Sequence, residues 1–166
     1  MNIYYYESEP GLTDGLLLPL LKQYTSVNYV PLPEGPKTAL DNWNGSEDFR
    51  YTTISKFSLT PDDRVLITTP KSSPLEKWCV KDCSHALWGW SDGTFSVIYT
   101  EPPVRLSTQF HECLHFLGVD DCYVIDDPAH PAKPSCTRDD CVMRYGVNSL
   151  KVCDSVLTQI NNFQKQ

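Results

Sequence analysis

The sequence lacks long hydrophobic runs and lacks an excess of basic residues. No apolar stretch approaches the roughly 18 residues that a membrane-spanning helix requires. Lysine and arginine number 14 against 21 aspartate and glutamate residues, which gives a net charge of −7. This charge disfavours nucleic acid or an anionic membrane as a partner, because a phosphate backbone requires a basic surface. We expect a soluble protein, acting as a monomer, that binds neither nucleic acid nor membrane.

The first ten residues, MNIYYYESEP, lack the features of a secretory signal. They contain neither its basic segment nor its apolar core, which predicts a cytoplasmic protein. The chain has seven cysteines, and in a reducing compartment such clustering favours metal thiolates over disulfides. If the cysteines form disulfides instead, the prediction changes to a secreted protein.

The chain length and the apolar patterns predict one domain over residues 1–166, because this length buries a core without a partner. Residues 85–101 predict a β-hairpin with its turn at Ser91-Asp92-Gly93. The other strands predicted from apolar and β-branched runs are NIYYYE, NYVPL and DRVLITT. These strands favour a small mixed sheet and an α+β fold.

Helical spacing of apolar residues predicts a helix from Thr13, which is a candidate N-cap, and a C-terminal helix over residues 147–163. Residues 33–50 are rich in Pro, Gly, Asn and Asp and predict a loop with at most one short helix. A further helix is predicted over residues 103–117, where Pro102-Pro103 favours its start.

The stretch HECLHFLGVDDC, residues 111–122, carries the strongest chemical signal. His111 and His115 lie one helical turn apart, on a face other than the apolar stripe, so both imidazoles can point at one metal ion. Glu112 lies beside them and can take a proton from a metal-bound water, whose pKa zinc lowers toward about 7. The spacing therefore predicts a zinc site that hydrolyses its substrate.

Gly118 and Asp121 extend this motif. A glycine directly after the helix can adopt the left-handed conformation and turn the chain back, so that Asp121 can reach the metal. A carboxylate oxygen is a normal zinc ligand, and two histidines with one aspartate leave a coordination position open for catalysis. His130 in the later segment DDPAHPAKP is the alternative third ligand.

This pattern resembles the extended motif of the metzincin clan of zinc peptidases, HExxHxxGxxH or, in snapalysin-like members, HExxHxxGxxD. The residues that match the second form are His111, Glu112, His115, Gly118 and Asp121. The clan also has a methionine in a tight turn beneath the metal, which Met143 in CVMRYG matches. The resemblance implies a zincin-like α+β fold with a twisted mixed sheet, an antiparallel edge strand, an active-site helix, a Met-turn and a C-terminal helix. It divides the domain into an N-terminal subdomain, 1–118, and a C-terminal subdomain, 119–166.

Within the clan the chain is similar to archaemetzincins, which have a cysteine directly after the third ligand and a later Cys-x-Met. Cys122 and the triplet Cys141-Val-Met143 match these features. Two departures are the aspartate in place of the usual third histidine and the cysteine spacing, in which only Cys153 follows the triplet. The resemblance implies a second, structural zinc, here on Cys122, Cys136, Cys141 and Cys153, with disulfides as the alternative. Cys79 and Cys83 could form a small disulfide or stay reduced, and Cys113 is predicted to be a buried apolar residue.

The resemblance also implies a function. By likeness to astacin-like members, Tyr145 stabilises the oxyanion, although a plain packed tyrosine is the alternative. Residues 95–101 are predicted to be the edge strand that pairs with an extended peptide. The chain is therefore expected to be a zinc metallopeptidase, of endopeptidase or aminopeptidase type, that hydrolyses peptides or proteins with Glu112 as general base. The alternative is a zinc-binding protein of the same fold, catalytically weak or inactive, with a regulatory or partner-binding role.

Overall fold

The computed structural model describes residues 1–43, 49–69, 89–99, 105–124, 129 and 131–165. Some predictions concern residues outside these ranges. They are the alternative ligand His130, the cysteine pair Cys79 and Cys83, and the helix start at Pro102-Pro103.

The described chain is a mixed α/β protein built on a five-stranded sheet in the order β2-β1-β3-β5-β4. Neighbouring strands among the first four in this order are parallel, and β4 pairs antiparallel with β5 at the edge. The strands are β1 (Asn2–Glu7), β2 (Asn28–Pro31), β3 (Asp63–Thr69), β4 (Gly89–Ser91) and β5 (Phe95–Tyr99). The prediction of a mixed sheet with one antiparallel edge strand is confirmed.

Residues 95–101 were predicted to form the edge of the sheet, and for the described residues 95–99 this prediction is wrong. Strand β5 lies between β3 and β4 and pairs with both. Its residues Phe95 to Ile98 are at most 3% exposed, because apolar groups on both sides of this strand are covered by neighbouring elements. The short strand β4, on the other arm of the predicted hairpin, forms the edge instead.

Five helices are described among these residues: α1 (Leu17–Leu21), α2 (Glu34–Asp41), α3 (Phe49–Ile54), α4 (Leu106–His115) and α5 (Asp154–Phe163). Helix α2 is the one short helix that the prediction for residues 33–50 allowed, whereas α3 was not predicted and α1 and α5 begin later than predicted. Pro36 lies in the first turn of α2, where a missing N–H costs little. None of the described helices combines the length and apolar character needed to cross a membrane.

Thr13 does not cap α1, which begins at Leu17. The backbone N–H groups of Thr13 and Gly11 donate instead to the carboxylate of Glu7, at 2.9 and 3.0 Å. These hydrogen bonds fold residues 11–14 against the end of β1, so the helix begins one turn later than the apolar spacing indicates.

The C-terminal helix is also shorter than predicted and begins at Asp154. Cys153 has an extended backbone, with φ −90° and ψ 169°. The N–H of Val142 donates to the carbonyl of Lys151 at 2.7 Å. Residues 150–153 therefore run beside residues 141 and 142 rather than continuing the helix.

Two clusters of buried side chains cover the two faces of the sheet. The apolar stripe predicted for the helix over residues 103–117 is confirmed, since Phe110, Cys113, Leu114 and Leu117 of α4 and the following turn are fully buried. Helix α4 packs against α1, β4 and β5. This packing leaves the opposite face of α4, with its two histidines, turned toward the C-terminal segment.

Candidate metal centre

His111 and His115 are positioned by helix α4 and oriented by two backbone carbonyls. Nδ1 of His111 lies 2.8 Å from the carbonyl oxygen of Val142, and Nδ1 of His115 lies 2.7 Å from that of Val119. A carbonyl oxygen only accepts, so each Nδ1 carries the proton that it donates. This arrangement leaves Nε2 of each ring as the metal-binding atom, which is the orientation that backbone acceptors give to ligand histidines.

Gly118 brings the third candidate ligand to the histidines. Its φ of +68° confirms the predicted left-handed conformation, and its N–H donates to the carbonyl of His115 at 3.0 Å. After this turn, Oδ1 of Asp121 lies 3.1 Å from Nε2 of His111 and 3.7 Å from Nε2 of His115. The three ligand atoms lie within 4.8 Å of one another and form a candidate metal-binding group.

Oδ1 of Asp121 is a buried oxygen that receives no hydrogen bond from the described residues as long as both imidazoles carry their proton on Nδ1. A buried polar atom without a partner costs free energy, so such atoms normally have a protein, water or metal contact. A cation between Oδ1 and the two Nε2 atoms would supply that contact. Two imidazoles and one carboxylate with a position left open are the ligands of catalytic zinc, so these residues fit a zinc ion.

Burial and neighbouring charge determine the protonation of this group. Burial raises the pKa of Glu112 to about 7. Burial opposes protonation of His111, but the carboxylates of Asp121 and Glu112 raise its pKa to about 9. Burial and the charge of His111 lower the pKa of His115. Burial acts to raise the pKa of Asp121, but the two histidines lower it overall. A bound divalent cation would favour the deprotonated form of all four groups.

Glu112 itself is only 6% exposed. Its backbone carbonyl accepts a hydrogen bond from Oγ of Ser96 in β5 at 3.0 Å. Strand β5 is thereby attached to helix α4 at the residue that the sequence predicts to be the general base.

Met143 lies in a tight turn, as predicted, and is fully buried. The N–H of Arg144 donates to the carbonyl of Cys141 at 3.0 Å and closes this turn. Two successive carbonyls of the turn accept hydrogen bonds: that of Val142 accepts from Nδ1 of His111, and that of Met143 accepts from the N–H of Cys122 at 2.8 Å. The turn therefore orients the first histidine and the residue that follows Asp121.

Tyr145, predicted to stabilise an oxyanion, is 51% exposed. Its ring packs edge-on against Tyr123, with ring centroids 5.6 Å apart. Tyr123 in turn hydrogen-bonds through its hydroxyl to the carboxylate of Asp121. Tyr145 thus packs against Tyr123, and Tyr123 contacts the candidate ligand Asp121.

The sequence analysis missed Tyr123. The residue forms an isolated β-bridge with Ala132, and the chain bends at Cys122, between Asp121 and Tyr123. The phenol of Tyr123 meets the carboxylate of Asp121 across this bend, and no pattern in the sequence indicates the contact.

Tyr123→Phe is expected to weaken zinc binding about 10-fold or more, because partners that orient a ligand typically contribute 10–100-fold to metal affinity. The ring packing is kept, so the fold should not change. Competition with a chromophoric chelator measures the affinity, and Tyr145→Phe is the matched control with unchanged affinity expected. Equal zinc affinities of Tyr123→Phe and the unmodified protein would show that the hydroxyl does not orient Asp121.

A second candidate metal group contains the four cysteines Cys122, Cys136, Cys141 and Cys153, with sulfur atoms within 4.8 Å of one another. Sγ of Cys122 lies 3.9 Å from that of Cys141 and 3.8 Å from that of Cys153. Four sulfurs around one zinc, each bonded at about 2.3 Å, lie about 3.8 Å apart, so the spacing fits a tetrahedral thiolate site. A disulfide would place two sulfurs about 2.05 Å apart.

The five described cysteines are free thiols. Burial raises the pKa of Cys122 and raises that of Cys141 to about 11. Burial also opposes ionisation of Cys153, but hydrogen bonds from the hydroxyl of Ser155 and the N–H of Val156 lower its pKa to about 6. Cys153 precedes α5, where the helix N-terminus favours a negative charge.

Comparison with protein-family models, with curated proteins and with solved structures found no match to this chain. Function is therefore inferred from the chain's own residues and distances. Two candidate metal groups are present among the described residues.

Proposed function

We propose that the protein is a zinc-dependent peptidase of the metzincin type, similar to archaemetzincins but with Asp121 as the third ligand. The observation that carries this proposal is the convergence of three ligand atoms, because the buried Oδ1 of Asp121 lies 3.1 Å from Nε2 of His111 and 3.7 Å from Nε2 of His115. Glu112, buried beside these ligands, supplies the acid–base group that hydrolysis requires.

Each residue of the site has a distinct part in the proposed reaction. His111, His115 and Asp121 would hold a zinc ion, which when bound polarises the substrate carbonyl and makes water more acidic. Glu112 accepts the proton of the attacking water and then donates it to the departing amine.

Peptide or protein is the substrate class that the sheet supports. Strand β4 is the last strand of the described sheet, and among the described strands it pairs only with β5. An extended peptide can add to such an edge through main-chain hydrogen bonds that tolerate many side chains. Since Gly89 of β4 lies next to Glu112, a peptide added along β4 would pass the proposed general base.

The fold and the second metal group support the same proposal. The five-stranded sheet with one antiparallel edge, the helix that carries both histidines and the turn at Met143 are the parts that the metzincin likeness implies. We assign the four-cysteine group to a structural zinc, because four thiolates close the coordination sphere and leave no position for a substrate.

Native mass spectrometry of protein purified without chelator or reductant, followed by a peptide-library cleavage assay, tests the proposed function. We expect two zinc ions per chain, and cleavage that a chelator abolishes and added zinc restores. If the protein binds two zinc ions but cleaves no peptide, the peptidase proposal is rejected in favour of a zinc-binding regulatory protein. Failure to bind zinc at the histidine site would refute both functions.

A further inference from the structure

The carboxylate of Glu112 lies directly against the backbone of Gly89 in the edge strand β4. A Cβ atom added to Gly89 would lie 2.3 Å from Oε1 of Glu112 and 2.6 Å from its Cδ and Cγ. Real Cβ atoms essentially never come within 3.0 Å of another heavy atom in this way. With Glu112 in its place, residue 89 has room for a hydrogen atom only.

Space, and not backbone freedom, is the reason for glycine at this position. Gly89 is absent from the glycines with positive φ, whereas Gly93 in the adjoining turn has a φ of +84°. An alanine could therefore adopt the backbone conformation of residue 89 without strain. The Cβ of that alanine would, however, clash with the carboxylate of Glu112.

The hairpin formed by β4 and β5 contacts Glu112 a second time. Ser96, fully buried in β5, donates its hydroxyl hydrogen bond to the backbone carbonyl of Glu112. Oγ of Ser96 also lies 2.7 Å from Oγ of Ser91 in β4. One hairpin thus contacts Glu112 at its backbone and at its carboxylate, and a serine pair joins the two strands.

We propose that Gly89 is a positioning residue for Glu112, because the missing side chain leaves the space in which the proton-transferring carboxylate is fixed beside the metal ligands. The steric part of this inference stands on the contact alone, and the catalytic part rests on the proposed peptidase function. Glu112 is 6% exposed, and Cys113 and Leu114 after it are fully buried. A displaced carboxylate therefore has to change rotamer or shift helix α4, and either change moves it relative to the water that it deprotonates.

Gly89→Ala tests the catalytic part, with Gly15→Ala as the matched control. A Cβ at Gly15 meets no atom within 4 Å, and Gly15 is not among the glycines with positive φ. We expect Gly89→Ala to bind the same amount of zinc but to lower kcat by about 10–100-fold with little change in KM, because misplacing a reacting group by about 1 Å costs up to about 100-fold. Gly15→Ala should keep its kcat, and an unchanged kcat in Gly89→Ala would overturn the catalytic part.

A double-mutant cycle with Glu112→Ala tests the steric part without an activity assay. Overpacking typically costs 1–3 kcal/mol, so Gly89→Ala should lower the thermal midpoint by roughly 2–10 °C when Glu112 is present. In the Glu112→Ala background, the same change should lower it by about 1 °C or less, because the clashing atoms are gone. Equal shifts in both backgrounds would refute the contact.

Failure of the proposed peptidase function and failure of the proposed Gly89–Glu112 contact give different results. If zinc-loaded protein cleaves no peptide but the cycle shows coupling, the peptidase function fails and Gly89 still sets the place of Glu112. If Gly89→Ala does not fold, recovery of soluble, zinc-binding protein in the Gly89→Ala, Glu112→Ala double variant supports the contact. Failure of the double variant to fold as well would refute it.

Discussion

Glu112→Gln is expected to lower kcat by about 10²–10⁴-fold while the protein keeps its zinc and its fold. Glutamine has the shape of glutamate but cannot accept the proton of the attacking water, and general-base catalysis typically contributes this range. The ligands His111, His115 and Asp121 are unchanged, so zinc content should be unchanged too. The side chain is 6% exposed, and burial disfavours its charged form, so the neutral amide should not lower thermal stability.

The measurement is kcat on a peptide that the unmodified protein cleaves, with zinc content determined on the same sample. Glu9→Gln is the matched control, because Glu9 lies in an exposed segment remote in sequence from the motif. It should keep full activity. Hydrolysis by the Glu112→Gln variant at the rate of the unmodified protein would show that Glu112 is not the base.

Replacing Cys122 and Cys141 together with serine is expected to remove the structural zinc ion, to unfold the C-terminal part of the chain and thereby to weaken zinc binding at the histidine site. Structural zinc sites contribute about 10–16 kcal/mol of apparent binding free energy, which is as large as the whole stability of a typical domain. Both cysteines are buried, and serine hydroxyls would replace two of the four thiolates. The turn at Met143 lies between the two metal groups, so His111 should also lose its carbonyl partner.

Thermal unfolding with and without a chelator, together with zinc content, measures this effect. Cys113→Ala is the control, since Cys113 is equally buried but belongs to neither candidate metal group. It can cost stability through lost packing but should keep two zinc ions. A double serine variant with two zinc ions and an unchanged thermal midpoint would refute a structural thiolate site.

Features that depend on residues near in sequence could be predicted. Strands β1 and β3 follow from short apolar runs, and the face of α4 that carries His111 and His115 follows from the helical repeat. The left-handed conformation of Gly118 follows from its place after the helix, and it is sufficient to bring Asp121 toward the histidines. The grouping of the four cysteines came from the family resemblance, and the structure brings their sulfurs together.

Features that depend on residues far apart in sequence could not be predicted. The order of strands among the described residues places β4 outside β5, and this order depends on the pairing of β5 with the distant strand β3. Helix α1 begins at a later residue than predicted because Glu7 holds the preceding segment by hydrogen bonds. Helix α5 is shorter than predicted because residue 142 pairs with residue 151. The contact of Gly89 with Glu112 joins a strand to a helix, and no pattern in either segment indicates it.

The hydrogen bond from His111 to the carbonyl of Val142 spans 31 residues. Helix α4 therefore leaves the ribosome well before the turn that orients its first histidine, and Cys153 follows later still. Since chains grow by about 5–20 residues per second, a nascent chain spends seconds with its histidines made but not oriented. A peptidase built in this way would be inert during its own synthesis, and a product cut short before Val142 would carry the HExxH sequence without a site that can use it.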